Sequence, residues 1–221
     1  MRRIIIIALS AALLTTTAWV VRGAGAGSSR TAAAAVPAAA GTGPPTDERA
    51  LERGLRTTKP ASLAGQLARG RLATARYATN LGAAKADGYQ ILTRMIPDMG
   101  WHFLNPEIQG FDVTKPPILV YERHSSAWQL AAFEWVFPTK PATPPLPGAT
   151  YGSFGAACHY KDGTFVFTSS QDQCPKRSPQ TGAAFNFWHP DLVTLHVWLW
   201  YPNPAGLYNG TNPYVHPFNH T

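Results

Sequence analysis

Four ionisable side chains interrupt stretches of the sequence that are otherwise rich in large apolar residues: His102, Glu122, Glu134 and His196. Charged and imidazole groups in such surroundings are rarely buried unless they are paired or bind a metal. Two imidazoles and a carboxylate are the ligand set of many zinc, copper and iron sites. The same groups can also act as a general acid and a general base.

The expected strand register selects among these four residues. Residues 118–123 and 128–137 flank the short segment 124–127 and predict a β-hairpin. A turn centred on Ser125 and Ser126 places Glu122 opposite Gln129 and turns Glu122 to the face opposite Glu134, unless a bulge intervenes. The residues expected on the face of Glu134 are Leu119, Tyr121, Leu130 and Ala132.

The sequence therefore predicts a site of His102, Glu134 and His196 that could hold a divalent metal, Zn or Cu, with Glu122 as the second choice. A buried Glu–His pair, or a glutamate bonded to an indole N–H, would produce the same pattern without a metal. None of the four lies in a His-x-His, His-x-x-x-His or Cys-x-x-Cys pattern. The spacing alone thus leaves a structural polar network and an acid–base pair open as alternatives.

Aromatic residues provide a second kind of binding surface. Trp101 and Trp188 are the tryptophans that we expect to be exposed, and such rings can stack on the apolar face of a sugar. The remaining tryptophans of residues 62–221 fall on strand patterns and are expected in the core. His189 precedes the last predicted strand; it could join the ligand-binding residues, although its Trp-His-Pro-Asp context is typical of a surface turn.

Cys158 and Cys174 are the two cysteines of the chain. In an oxidising compartment such a pair predicts a disulfide. Between them, Asp162 and Gly163 indicate a tight turn flanked by strand-like residues, so the bridge is expected to staple a hairpin.

The N-terminal sequence indicates export. Residues 1–26 begin with Arg2 and Arg3, continue with an uncharged run over residues 4–21 and end in a small-residue segment at Ala26, as in a cleaved signal peptide. An uncleaved anchor is the alternative, and the chain would be membrane-attached only in that case. Residues 27–61 are rich in Ala, Gly, Pro and Thr and predict a flexible linker. The protein is therefore expected to be secreted or extracytoplasmic.

Residues 62–221 are of a length that suits one domain. Ser62–Asp87 predicts one main helix with Leu72 on its apolar face, and the following short aromatic and β-branched runs predict strands. The expected fold class is α+β, with the N-terminal helix packed on an antiparallel sheet and with Pro-rich loops, of which residues 138–147 must run over the surface.

Charge limits the class of partner. Cleavage after residue 26 would remove three arginines and no acidic residue, so the formal net charge would fall from +7 to +4. The basic residues that remain concentrate in residues 47–94, whereas the aromatics lie in the slightly acidic remainder. Nucleic-acid binders interleave the two, so nucleic acid is not an expected partner. A small molecule, a metal or an envelope polymer is.

Four segments in this order resemble a group of secreted bacterial proteins with no settled activity. The segments are Met99–His102, Pro117–Glu122, Glu134–Val136 and Leu195–Pro204, followed by Asn212 and Pro213. The resemblance covers roughly residues 65–215 and implies export and a shared fold, without transferring a function. We therefore expect a non-catalytic exported domain that binds a small ligand or metal. An extracytoplasmic hydrolase with a Glu/His acid–base pair, or a carbohydrate- or wall-binding module, is the alternative.

Overall fold

The computed structural model describes residues 62–220, and the predicted signal segment and linker lie outside them. Two helices come first, followed by nine strands. No helix within the described range is long and apolar enough to span a bilayer. The strands form two antiparallel sheets, so the expected α+β class holds with more sheet than helix.

The single helix predicted over Ser62–Asp87 is divided in the structure. Helix α1 spans Leu63–Thr74, a 3₁₀ turn covers Ala75–Tyr77, and helix α2 spans Leu81–Ala86. The side chains of Ser62 and Asn80 cap the two helices by accepting hydrogen bonds from the Gly65 and Ala83 amides. The second cap fixes the break, because Asn80 has left the helical conformation.

The predicted apolar face of the first helix was wrong at Leu72, whereas Leu63 and Leu67 pack against the core. Leu72 is 80% exposed, whereas Gly70 and Thr74 are the buried residues of α1. A small residue is required at Gly70 because the loop before strand β3 (Ile118–His124) approaches closely: a Cβ there would lie 2.8 Å from the Val113 carbonyl oxygen. A large side chain would not fit at this contact between helix and loop.

The larger sheet has six strands in the order β1-β2-β3-β4-β9-β5. Their bounds are Gln90–Ile96, Gly100–Leu104, Ile118–His124, Ala127–Phe137, Leu192–Val197 and Gly152–Phe154, in that order. One face packs on the helices, with Tyr77, Leu81, Leu119 and Tyr121 in a common apolar core. The other face carries Ile118, Val120 and Ala132 and packs on Trp198 and Val215.

A bulge in the β3–β4 hairpin changes the predicted faces. Val120 pairs with Ala132, but the adjacent Tyr121 pairs with Leu130, so Ala131 is the extra residue. Glu122 still pairs with Gln129, as predicted. Glu134, however, pairs with Ile118. It therefore shares a face with Ile118 and Val120, not with Leu119, Tyr121 and Leu130.

The bulge is held by the chain that follows strand β9. The Ala131 carbonyl accepts hydrogen bonds from the amides of Trp200 and Tyr201, at 3.0 and 3.1 Å. These residues lie about 70 positions further along the sequence. The pairing of the predicted hairpin thus depends on a contact outside it.

The smaller sheet has the order β7-β6-β8, with bounds Phe165–Phe167, Ala157–Tyr160 and Phe185–His189. The β6–β7 hairpin turns at Asp162 and Gly163, as the sequence predicts, and Cys158 and Cys174 form the predicted disulfide. The bridge ties β6 to the loop after β7, with a Cα–Cα distance of 5.7 Å. The Pro-rich segment 138–147 is largely exposed, as expected, with Leu146 buried in the core.

Candidate metal centre

Three strands of the larger sheet bring His102, Glu134 and His196 together on one face. Glu134 on β4 and His196 on β9 are direct cross-strand partners. His102 lies on β2, separated from β4 by strand β3. It reaches the same point because β3 presents apolar side chains on this face, and the longer imidazole extends over them.

The polar atoms of these three side chains converge without forming hydrogen bonds. His102 Nε2 lies 3.6 Å from Glu134 Oε2, and His196 Nε2 lies 3.6 Å from Glu134 Oε1. Both distances exceed the 2.7–3.2 Å range of a hydrogen bond. His196 Nε2 is buried and has no hydrogen-bond partner within the described residues. All three residues are buried, with at most 6% of their surface exposed.

Neighbouring side chains fix the orientation of both imidazoles. His102 Nδ1 lies 2.8 Å from Thr93 Oγ1 on strand β1. If this nitrogen carries the proton and donates it to the hydroxyl oxygen, Nε2 of the neutral ring presents its lone pair to Glu134. The ring of His196 stacks on Trp198, whose indole nitrogen donates to the Asn209 carbonyl oxygen at 2.6 Å. The contact with Thr93 therefore orients the His102 ring, and the Trp198 ring lies nearly parallel to that of His196.

Burial determines the protonation of the cluster. Burial lowers the pKa of His102 to about 3, with the nearby His196 adding to the effect, and it lowers the pKa of His196 to about 4. Burial raises the pKa of Glu134 to about 8. At neutral pH both imidazoles are neutral and available as ligands, while a carboxylate at Glu134 would have to be stabilised by a positive charge.

A metal ion would supply that charge. The ligand atoms of the three residues all lie within 4.8 Å of one another, and the cluster could hold a metal ion. Two atoms bound at about 2.0–2.1 Å to one tetrahedral ion are about 3.4 Å apart, so binding would bring the most separated ligand atoms together by about 1–1.5 Å. Without an ion, the same protonation states give Glu134 the properties of a general acid and the imidazoles those of a base.

The cluster lines a cavity of about 280 Å³. The two sheets enclose this cavity, and most of its wall is apolar, including Leu92, Leu104, Ile118, Phe187 and Leu192. His159 and His189 of the smaller sheet also line it. The candidate metal ligands therefore adjoin enough space for a few waters or a small ligand.

Glu122, the second choice for the metal site, lies apart from the cavity. Glu122 is fully buried but contacts His124, whose Nε2 lies 3.1 Å from Glu122 Oε1 without hydrogen-bond alignment. Burial raises the pKa of this carboxyl, and His124 opposes that shift. The bulge places Glu122 on the same face as Glu134, but Glu122 belongs to a separate pair and does not line the cavity.

Trp101 and Trp188 were predicted to be exposed, but neither ring is exposed in the structure. Trp101 is half-buried and packs edge-on against Trp128, with ring centroids 5.5 Å apart. Trp188 is half-buried and donates to the Thr168 carbonyl oxygen at 3.4 Å. His189, interpreted above as a surface turn, instead ends strand β8 and points into the cavity, because β8 pairs with β6 as a regular strand.

Sequence reasoning missed His159 and Thr93 as parts of the cavity wall. Neither residue is among the ligand-binding residues predicted above. The available signal was the alternation of Phe187 and His189, which places both side chains on one face of a strand. Strand β6 then pairs His159 with Phe187 on that strand.

Comparison of the chain with protein-family models, curated proteins and solved structures returns no match. The geometry of the cavity is therefore the basis for inferring a function.

Proposed function

We propose that this protein is an exported metal-binding protein that holds a divalent ion, Zn²⁺ or Cu²⁺, through His102, Glu134 and His196. The observation that carries the proposal is the convergence of three buried ligand atoms at distances too long for hydrogen bonds. A network selected only for stability would close these contacts to about 2.7–3.2 Å, since unsatisfied buried polar groups cost about 1–3 kcal/mol each.

The ligand set fits such an ion. Two neutral imidazoles and one carboxylate suit zinc and copper, and three protein ligands leave a coordination position for water or a small ligand. The cavity beside the cluster supplies room for that group. Its apolar wall favours a small ligand with one donor atom and an apolar body. The disulfide between Cys158 and Cys174 is consistent with an extracytoplasmic site.

Elemental analysis of the untagged protein, produced in an oxidising compartment, tests the proposal. We expect bound zinc or copper, and we expect the chelator-treated protein to melt several degrees higher when the metal is added back at about 100 times its Kd. His102→Ala and His196→Ala should weaken binding strongly. His220→Gln removes an exposed imidazole and should leave it unchanged. Protein that carries no metal and shows no shift in melting temperature would refute the proposal.

An extracytoplasmic hydrolase is the second candidate function, favoured by the elevated pKa of Glu134 beside a cavity. In that function Glu134 is the general acid and a neutral imidazole is the base. Hydrolysis of p-nitrophenyl acetate before and after chelation separates the two. Activity that survives chelation and is lost in Glu134→Gln supports acid–base catalysis, whereas the absence of activity in both forms removes it.

A further inference from the structure

A second pair of imidazoles faces the same cavity from the smaller sheet. His159 lies on β6 and His189 at the end of β8. Their Nε2 atoms are 3.0 Å apart, and both residues line the cavity. His159 is buried, and its ring stacks on Phe187 with centroids 4.9 Å apart and an interplanar angle of 8°.

The other nitrogen of each ring determines what lies between these two atoms. His159 Nδ1 contacts the Leu92 carbonyl oxygen at 3.2 Å, and His189 Nδ1 contacts the Pro190 carbonyl oxygen at 2.7 Å. A carbonyl oxygen only accepts hydrogen bonds, so both Nδ1 atoms carry a proton. In neutral rings both Nε2 atoms then present lone pairs to each other, and these repel unless a cation lies beside them.

A proton is one such cation, but it would charge one of the two rings. The surroundings oppose this: Phe154, Phe165 and Phe187 all lie within about 6 Å of His159, measured between ring centroids. Burial lowers the pKa of His159 to about 4, and the nearby His189 acts in the same direction. The apolar rings around His159 therefore disfavour a proton on that imidazole.

A metal ion fits the same geometry. Ligand nitrogens 3.0 Å apart, each about 2.0–2.1 Å from one ion, subtend about 95° at the metal, which is a usual angle between neighbouring ligands. Metal-binding histidines almost always donate their second N–H to a carbonyl or carboxylate, which fixes the tautomer. His159 and His189 both do so.

We infer that the Nε2 atoms of His159 and His189 form a second binding position for a divalent transition metal. Its remaining coordination positions open into the cavity shared with His102, Glu134 and His196, where water or an oxygen-donor ligand would complete them. The two positions are near enough that a charge on His159 lowers the pKa of His102. This inference uses residues distinct from those of the proposed function, so each can fail alone.

Titration of the full-length, chelator-treated protein with Cu²⁺ and with Zn²⁺ tests the inference. We expect two ions per chain for the wild type and for His220→Gln, and one for His189→Gln. Glu134→Gln should also bind one ion, because it removes a ligand of the other position. His189 is the better position to replace, since it is half-buried at a strand end, and an unchanged melting temperature of the metal-free variant establishes that it folds.

The outcomes separate the two hypotheses. One ion per chain that His189→Gln abolishes and Glu134→Gln leaves in place supports the second position and contradicts the proposed function. One ion that Glu134→Gln abolishes and His189→Gln leaves in place overturns the inference, and the two imidazoles then share a proton. A single ion lost in both variants also overturns it, because the two groups of ligands would then belong to one centre.

Discussion

Replacing Glu134 with glutamine separates the requirements of folding from those of metal binding. In the folded, metal-free protein, burial raises the pKa of Glu134 to about 8 from an ordinary value of 4.5. The unfolded chain carries an ionised carboxylate at neutral pH, whereas the folded chain must protonate it. The cost is about 1.4 kcal/mol for each pH unit above 4.5, or about 3 kcal/mol at pH 7.

The sign of this effect follows from proton binding. Because the folded pKa is raised, the stability contributed by Glu134 is complete below pH 4.5 and is lost as pH rises from 4.5 to about 8. Glutamine has no such dependence, and its amide can donate to a neighbouring imidazole. We therefore expect metal-free Glu134→Gln to be about 3 kcal/mol more stable than the wild type at pH 7, and less than about 1 kcal/mol more stable at pH 5.

Urea unfolding in the presence of a chelator, at both pH values, measures this difference. Glu107→Gln removes an exposed carboxylate with the same change in charge and should have no comparable effect. Added Zn²⁺ should reverse the order at pH 7, because at about 1,000 times its Kd it stabilises the wild type by about 4.1 kcal/mol, whereas the variant has lost the carboxylate of the His102–Glu134–His196 site. A variant that is less stable than the wild type at both pH values would refute the reasoning, since Glu134 would then be stabilising the metal-free fold.

Four further predictions concern the groups around the site. Metal affinity at the His102–Glu134–His196 site should rise about tenfold per pH unit from pH 5 to 7 and level off near pH 8. The reason is that Glu134 loses its proton on binding, whereas both imidazoles are already neutral. A break near pH 6.5 in calorimetric titrations would instead indicate histidines with ordinary pKa values. Thr93→Val should weaken metal binding about 10–100-fold by releasing His102 Nδ1, whereas Thr194→Val, in the same cavity wall, should have a smaller effect in the same titration. Gly163→Ala should lower the free energy of unfolding by more than about 1 kcal/mol, measured in urea, because Gly163 has a φ of +83° and a Cβ there would lie 2.5 Å from Ile91. Replacing both cysteines with serine should lower the free energy of unfolding by about 3 kcal/mol in the same assay. Reducing conditions should lower the free energy of unfolding of the wild type by the same amount.

The local elements of this fold are readable from the sequence, and the contacts between them are not. Strand β1 and the β3–β4 hairpin follow from alternating apolar residues and turn residues, and the disulfide follows from the single pair of cysteines. The Ala131 bulge cannot be read locally, because its carbonyl is satisfied by the amides of Trp200 and Tyr201. The prediction that His102, Glu134 and His196 form one site did not depend on that bulge, since Glu134 pairs with His196 on the neighbouring strand.

The second sheet was the harder part to predict for a related reason. Its strands are three to five residues long, so each carries too few alternations to be told from a loop. His189 was therefore interpreted as part of a turn. A strand of this length becomes recognisable only through its partner, and the partner of β8 is the disulfide-linked strand β6.

Strand β1 connects the two groups of imidazoles. Thr93 holds His102 through its side chain, and the adjacent Leu92 holds His159 through its backbone carbonyl. The pairing of β1 with β2 shifts on both sides of Thr93, and the next residue, Arg94, donates its amide to the Gly163 carbonyl oxygen of the smaller sheet at 2.8 Å. A displacement of this short segment would therefore move ligands of both positions at once. A ligand that enters the cavity and contacts Leu92 or Thr93 would therefore affect both proposed metal positions through the same strand.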